Sequence, residues 1–502
     1  MSASQDKRRR DDSPVDGAEV RQKTGKKKAA QKKRGMHKET IAIILVAVLI
    51  LAVVVMNSSF FYAMMPGLSI GGTNYTTSEF NYFYFSAYYN LNSQYGNSLI
   101  DTSIPLDKQD SWFGGTWAEY FEKEALETMK QITFICDEAA KNGFELSQDD
   151  KDAIAANLAE FDSYAQFGYA SKNQLIQANY GKGSNFKMIE KLLTKTTTAQ
   201  AYSQHISDSY EFSEEELEAH YAEKKDTYDV LTYRQFLISG AANEEEGIDA
   251  ETAMADAKEK AEAMAKAITD EESFAEQAQE NAAEGQEELY KDSEYTRYST
   301  TGQSLNSAYS EWMLDAARKE GDVEALEAET GYYVVMYLDR QDNHYNTRSM
   351  RHILIKAEAD ENNEYTDEAK EAARERAEEL LDEWKSGAKT EDSFAELATA
   401  ETMDEGSMET GGLYEDIYKG QMVSEFDAFT FDESRKPGDT GVVYGESTGY
   451  AGYHVVYYVG EGELYSSLIA KTDLTNTQYS DWIEAGTENY QATKKFTYMF
   501  SK

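Results

Sequence analysis

The longest feature in the pattern of apolar and polar positions is an uncharged run from Ile41 to Met56, resumed after Asn57-Ser-Ser by Phe60-Phe-Tyr-Ala-Met-Met65. As a helix the first run makes about 24 Å, slightly under a bilayer core of about 30 Å, and the second can supply the remainder. The pattern predicts a transmembrane anchor over residues 39–62, with a cleaved signal peptide as the alternative. Beyond it, apolar positions recur at helical spacing from Thr76 to Tyr233. Helix starts are marked by Thr76-Thr-Ser-Glu79, Thr116-Trp-Ala-Glu119 and Ser213-Glu-Glu-Glu216. In each, a hydroxyl and a carboxylate reciprocally satisfy N–H groups that the first helical turn leaves free. Phe212 and Leu217 add a hydrophobic staple, Gly143 suits a helix end, and Ser147 with Asp150 suits the next start. Residues 63–228 are expected to form a mainly helical domain.

A duplication follows. Tyr233-Arg-Gln-Phe-Leu-Ile238 matches Met350-Arg-His-Ile-Leu-Ile355, both alternating and β-rich. Ala253, Ala257, Ala261, Met264 and Ile268 then share the spacing of Ala369, Ala373, Ala377, Leu380 and Trp384, which is the spacing of one buried helix face. Ser273-Phe-Ala-Glu276 and Ser393-Phe-Ala-Glu396 come next, each after an expected N-capping threonine, Thr269 or Thr390. Gly331-Tyr-Tyr-Val-Val-Met-Tyr-Leu338 finally matches Gly452-Tyr-His-Val-Val-Tyr-Tyr-Val459. Two copies of a β-α-α-…-β domain, at 229–340 and 346–461, are the economical reading, and a closing helical segment is expected over 462–502.

Charge sharpens this picture. Residues 1–38 hold 13 Lys/Arg against 5 Asp/Glu, whereas the remainder holds 36 against 87. The basic tail preceding the apolar run places the N-terminus in the cytoplasm and the acidic body outside it. Such a body repels nucleic acid, so no nucleic-acid partner is expected. Cys136 is the sole cysteine, which excludes an intramolecular disulfide, and its helical stripe with Ala125, Met129, Ile132 and Ala139 reads as core. His/Cys/carboxylate clusters at ligand spacing are missing from the sequence, so neither a metal nor another cofactor is expected.

The two copies differ in chemistry. His352 and His454, two of six histidines, occupy the first and last strands of the second copy, where the first copy has Gln235 and Tyr333. Arg351-His-Ile-Leu-Ile-Lys356, Ser393-Phe-Ala-Glu-Leu-Ala398, Gly411-Gly-Leu413, Gly420-Gln-Met-Val-Ser-Glu-Phe426, Lys436-Pro-Gly-Asp-Thr-Gly441 and Gly452-Tyr-His-Val-Val456 follow in order. On these motifs, residues 351–459 resemble the parvulin family of peptidyl-prolyl isomerases. The resemblance implies a small antiparallel sheet wrapped by helices, with paired histidines at His352 and His454 and Asp404 beside them. It places Met422 and Phe426 under the proline, with Leu413 lining the same pocket. Two positions depart from the family pattern: Gly449 and Ala451 stand before the final Gly-x-His, with Thr448 nearby to serve in the loop.

More loosely, the whole chain resembles extracytoplasmic foldases of the PrsA and SurA type. The implied fold class is α+β, comprising a helical SurA-like chaperone domain, two parvulin-like domains with the first degenerate, and one N-terminal transmembrane helix. The implied partners are unfolded or newly exported polypeptide clients, with the membrane held through that helix. Isomerising an X–Pro bond breaks no covalent bond and only has to favour the twisted amide, whose barrier is near 18–20 kcal/mol. An apolar hollow for the ring and polar groups suited to the twisted amide suffice, with the two histidines expected to hydrogen-bond and fix each other's tautomers. The alternatives from other classes are an inactive tethered holdase or scaffold and an envelope structural protein.

Overall fold

A computed structural model describes residues 38–96, 99–164, 168–242, 247–361, 363–447 and 449–502. The basic tail before Lys38 and Thr448 lie outside the described residues. In chain order, α1 (Lys38–Met56) and α2 (Ser59–Met64) precede strands β1 (Pro66–Ile70) and β2 (Thr73–Thr76). Helices α3 (Thr77–Tyr95), α4 (Trp117–Lys141), α5 (Gln148–Tyr164), α6 (Lys172–Tyr180), α7 (Phe186–Asp208), α8 (Glu214–Glu223) and α9 (Lys225–Tyr228) follow. The first repeat comprises β3 (Val230–Ser239), α10 (Ala250–Ala267), α11 (Glu271–Glu280), β4 (Arg297–Thr301), α12 (Ser310–Leu314), β5 (Val323–Ala328) and β6 (Gly331–Gln341). The second comprises β7 (Asn346–Lys356), α13 (Asp367–Ser386), α14 (Glu391–Glu401), β8 (Leu413–Ile417), α15 (Ser424–Thr430), β9 (Thr440–Ser447) and β10 (Tyr450–Leu464). Helix α16 (Tyr465–Thr487) and strand β11 (Thr493–Lys494) close the chain.

Among the described residues, no helix is long and apolar enough to cross a membrane. The anchor expected over 39–62 is therefore not found as one continuous span. Helix α1 stops at Met56, and the Ser58 hydroxyl explains the break: it donates to the Val55 carbonyl at 2.6 Å and accepts from the Phe61 N–H at 3.3 Å. Phe60 to Met65 thus start a separate short helix, with Phe61 buried beneath it, instead of prolonging the first.

The chain divides into two compact units. One gathers the described residues up to Lys130 with 152–194 and 492–502; the other holds 131–151 and 195–491. The helical region predicted over 63–228 is thus shared between them, and it is not all helix, because β1 pairs with both β2 and β11. The expected closing segment likewise ends as strand β11 and a 3-10 turn over Phe496–Phe500. Helix starts follow the capping logic: the Thr76/Glu79 and Ser213/Glu216 boxes form, Thr116/Glu119 and Ser147/Asp150 exchange the same bonds, and Gly143 takes φ 67° at a helix end.

In the second unit the duplication is visible as topology. The sheets run β4-β3-β6-β5 and β8-β7-β10-β9, so each strand of one copy has its counterpart in the other. Each sheet buries one face against its long helix: Ala257, Ala261, Met264 and Ile268 in the first copy, Ala373, Ala377, Leu380 and Trp384 in the second. Arg234 in the first copy reaches Glu271 at 2.9 Å, and the equivalent Arg351 reaches Glu391 at 2.9 Å, so one strand-to-helix tie is repeated. The cap of the following helix differs from expectation. Thr390 does cap α14, but in the first copy Asp270, and not Thr269, accepts from the Ser273 N–H. The extra residue there moves the capping position along by one, and the carboxylate suits it equally well.

Candidate active site

The face of the second sheet away from α13 carries the polar chemistry. Alternation along β7 puts Met350, His352 and Leu354 on that face, and β10 contributes His454, Val456 and Tyr458. Register pairs His352 with Val456 and Leu354 with His454, leaving the two histidines diagonal to one another. Their Nδ1 atoms lie 2.9 Å apart, and their ring planes meet at 16°.

Asp404 reaches the pair because its segment is clamped to β7. The Met403 N–H donates to the Leu354 carbonyl at 2.9 Å, and Thr402 Oγ1 accepts from the N–H groups of Leu354 and Asp404. Gly412 completes the clamp at φ +73°, donating to the Ser407 carbonyl while its own carbonyl accepts from the His352 N–H. A Cβ there would sit 2.1 Å from the His352 carbonyl oxygen, so only glycine fits.

Asp404 Oδ2 lies 2.9 Å from His352 Nε2 and accepts from Ser407 Oγ at 2.5 Å and Tyr414 OH at 3.0 Å. Those partners assign the protons. A carboxylate only accepts, so His352 Nε2 carries hydrogen; its Nδ1 then accepts from His454 Nδ1–H, and His454 Nε2 accepts from Tyr450 OH at 3.3 Å. The result is one directed chain from Tyr450 through His454 and His352 to Asp404.

The electrostatics agree with that chain. Burial, and then the neighbouring His352, push His454 down to about 3, so it is neutral at pH 7. The His352 hydrogen bond, aided by those from Ser407 and Tyr414, holds the Asp404 carboxyl well below the usual carboxylate range against the opposing effect of burial. Burial and then Asp404 push Tyr414 up to about 12 and raise Tyr450 in the same way. The site is a neutral His454 imidazole hydrogen-bonded to His352, beside one anion.

The apolar part is built from α15 and the loop before it. Phe426 sets its ring nearly perpendicular to both imidazoles, with centroids 5.9 Å from His352 and 5.4 Å from His454. Half-buried Met422 packs on the cluster of Met350, Phe426, Phe429 and Val456. The histidines and Phe426 form a floor, while Tyr414, Met422 and Tyr450 are half-exposed and form its rim. Leu413 is not brought to this face. It pairs with Arg351, and cross-strand partners share a side, so strand parity points it away from His352; Tyr414, one residue on, occupies the place expected for it.

Ser407, Tyr414 and Tyr450 were not singled out from sequence. Tyr450 stands between Gly449 and Ala451, the two departures from the parvulin pattern, and four residues before His454 on the same strand, so its hydroxyl serves the ring nitrogen. Among the described residues, no group of three or more His, Cys, Asp or Glu is arranged to hold a metal ion.

The first copy has filled the corresponding face. Tyr309 donates to Gln235 at 2.7 Å, lies 3.1 Å from the Tyr233 hydroxyl, and packs edge-on against Tyr333 at 5.3 Å. With Met313 buried beside them, phenols stand where the second copy keeps imidazoles.

Comparison with known proteins places a name on the second copy. Residues 337–459 match the family model of the PPIC-type PPIase domain, the parvulin class, over well under half of the chain. No match is found among curated protein sequences. Of solved structures, PrsA from Bacillus anthracis is 14% identical, with 43% of this chain and 79% of that one covered and a TM-score of 0.22. PrsA from Streptococcus pneumoniae is 13% identical, with 47% and 80% covered and a TM-score of 0.22. A SurA-like chaperone of Campylobacter jejuni is 13% identical, with 55% and 83% covered and a TM-score of 0.17. Overlap at these scores does not bear on how this chain is arranged.

Proposed function

We propose that the chain is a foldase that catalyses cis/trans isomerisation of X–Pro bonds and assists the folding of exported polypeptide clients. The observation that carries this reading is the directed hydrogen-bond chain through His454, His352 and Asp404, which shares one sheet face with Met422 and Phe426. A proline ring entering over Met422 leaves water for an apolar surface, which stabilises it by roughly 25 cal/mol per Å² buried. As the amide twists, resonance is lost and its nitrogen becomes pyramidal and a better acceptor. The rim hydroxyls of Tyr414 and Tyr450 give their single hydrogens to Asp404 and His454, so they keep their orientation during the twist as fixed dipoles, and either could turn its hydrogen to that nitrogen only by releasing its partner. No covalent intermediate is needed. The neutral His454 imidazole adds hydrogen bonding without placing its own charge against the apolar substrate.

Two further parts of the reading concern place and partners. The basic N-terminal segment and apolar α1 hold the chain at a membrane, with the acidic body outside the cytoplasm. The side chains of Leu45 to Ile50 and of Leu51, Val53 and Val54 are each exposed, so the protein itself does not cover that helix. The first copy, its face filled by Tyr309, is a non-catalytic module. Exchange of an Ala-Pro peptide, followed by NMR on the full chain, tests the enzyme: the wild type should accelerate it, and His454→Ala with Met422→Ala should abolish the acceleration. A wild-type chain with no rate effect that still suppresses client aggregation would instead establish the holdase.

A further inference from the structure

The surface beside the end of α1 combines features that the isomerase reading leaves unused. Phe60, Met64, Phe496 and Met499 have relative exposures of 67%, 62%, 76% and 67%, matched in this unit by Trp112 and Phe113 at 73% and 61%. They come from opposite ends of the chain. β11 pairs with β1, the Lys495 N–H donates to the Gly67 carbonyl at 2.8 Å, and Phe500 packs perpendicular on Phe61 at 5.4 Å. Helix α2 and the C-terminal 3-10 turn thereby make one aromatic surface. Only Asn57 and Ser58 separate it from the uncovered apolar side chains of α1.

The charge here is opposite to that of the body. Lys182 Nζ donates to Asn57 Oδ1 at 2.6 Å, and Lys495 Nζ to Asn74 Oδ1; both acceptors are neutral amides, so these ammonium charges are not cancelled by them. The placement of Lys182 is built in. Gly183, at φ +85°, leaves no room for a Cβ, which would lie 2.6 Å from Tyr62 Cβ and 2.8 Å from the Ala63 nitrogen. That loop is therefore pressed against α2. Residues 489–502 carry three lysines and no acid; Lys494 and Lys502 both pair with Glu122, whereas Lys495, next to Phe496, does not.

Aromatic and thioether side chains flanked by Lys182 and Lys495, at the point where an apolar helix ends, match the boundary between headgroups and acyl chains. We propose that the α2 and C-terminal turn surface docks on a bilayer containing anionic lipid, seating this unit against the membrane instead of leaving it on a free tether. The inference rests on the reading that α1 lies in a membrane. The bilayer is argued from continuity: only two residues separate this surface from α1, so a membrane that holds α1 brings its headgroup boundary to the same place, and an acidic protein surface, which the lysines alone would also suit, is distinguished by the test.

The test uses the full chain in phosphatidylcholine vesicles with and without phosphatidylglycerol, carrying Cys136→Ala so that one introduced thiol bears an environment-sensitive dye. Phe496→Cys and Met499→Cys are two independent positions on the patch, Leu49→Cys reports α1, and Tyr298→Cys on β4 is the aqueous control. Docking requires the patch dyes to shift blue, to be quenched by spin-labelled lipid and to resist iodide. In the Lys182→Glu, Lys495→Glu chain that quenching should fall toward the control. If the Leu49 dye is lipid-quenched while both patch dyes stay open to iodide, the docking proposal fails and the membrane reading stands. If the Leu49 dye also stays aqueous, both fail. A blue shift at the patch without lipid quenching means a protein covers it, which likewise overturns the assignment.

Discussion

His454 is neutral at pH 7 because burial disfavours its charged form, and this has a direction in pH. Its folded value, about 3, lies below its ordinary 6.5, so between those values the unfolded chain binds a proton that the folded chain does not. Stability is therefore complete above about 6.5 and is lost as pH falls. Asp404, also held low in the folded state, adds loss in the same direction once pH drops below its ordinary 3.8. Hydrogen exchange of β7 and β10 amides should lose protection by up to about 1.4 kcal/mol per pH unit below 6.5. In a His454→Gln chain that slope should largely vanish, and a slope unchanged by the substitution would remove His454 as its cause. Tyr450→Phe leaves His454 Nε2 without its donor while keeping the ring. It should lower kcat on an Ala-Pro peptide by roughly tenfold with little change in fold, in line with about 1 kcal/mol or slightly more per lost hydrogen bond.

At the scale of elements, parity and clamps decide what the site contains. A strand turns alternate residues to opposite faces, so Leu413 and Tyr414 exchange roles on a shift of one position, and a motif alone does not record which of them faces the histidines. The Gly411-Gly412 turn is as much a part of the site as the imidazoles, because its backbone approaches His352 too closely for any side chain. Gly412→Ala must displace β7 or the turn, and we expect a loss of about 2 kcal/mol or more with Asp404 drawn away from His352. The check is thermal unfolding together with loss of isomerase activity; an unperturbed stability would mean that the turn relaxes freely. In contrast, Thr390→Ala removes only a helix cap and should cost about 1 kcal/mol without touching the rate constant.

At the scale of the whole molecule, duplication has separated packing from chemistry. Both copies keep the same sheet order, the same buried alanine-rich helix face and the same arginine-to-glutamate tie, since these hold the fold. Only the opposite face diverged. Restoring histidines with Gln235→His and Tyr333→His in a chain disabled at His454 should therefore recover no isomerase activity, because Tyr309 and Met313 still fill that face. Measured recovery would show that the filling is not what silences the first copy.

Local patterns in the chain were enough to determine the capped helices, the repeat and the acidic body, because periodicity and caps are short-range, and the place of His352 and His454 in the repeat was legible too, whereas Asp404, Met422 and Phe426 became candidates only through the resemblance of ordered motifs to the parvulin family. Tertiary structure alone decided the rest. Among 36 tyrosines no spacing distinguishes Tyr414 and Tyr450, and Ser407 is an ordinary loop serine until the turn folds back on β7. The apolar N-terminal run looked long enough to span with its sequel, but the Ser58 hydroxyl ends the helix, a choice made by hydrogen bonding and not by hydropathy. Which side chains share a face is a property of register, and register is set by partners far away in the chain.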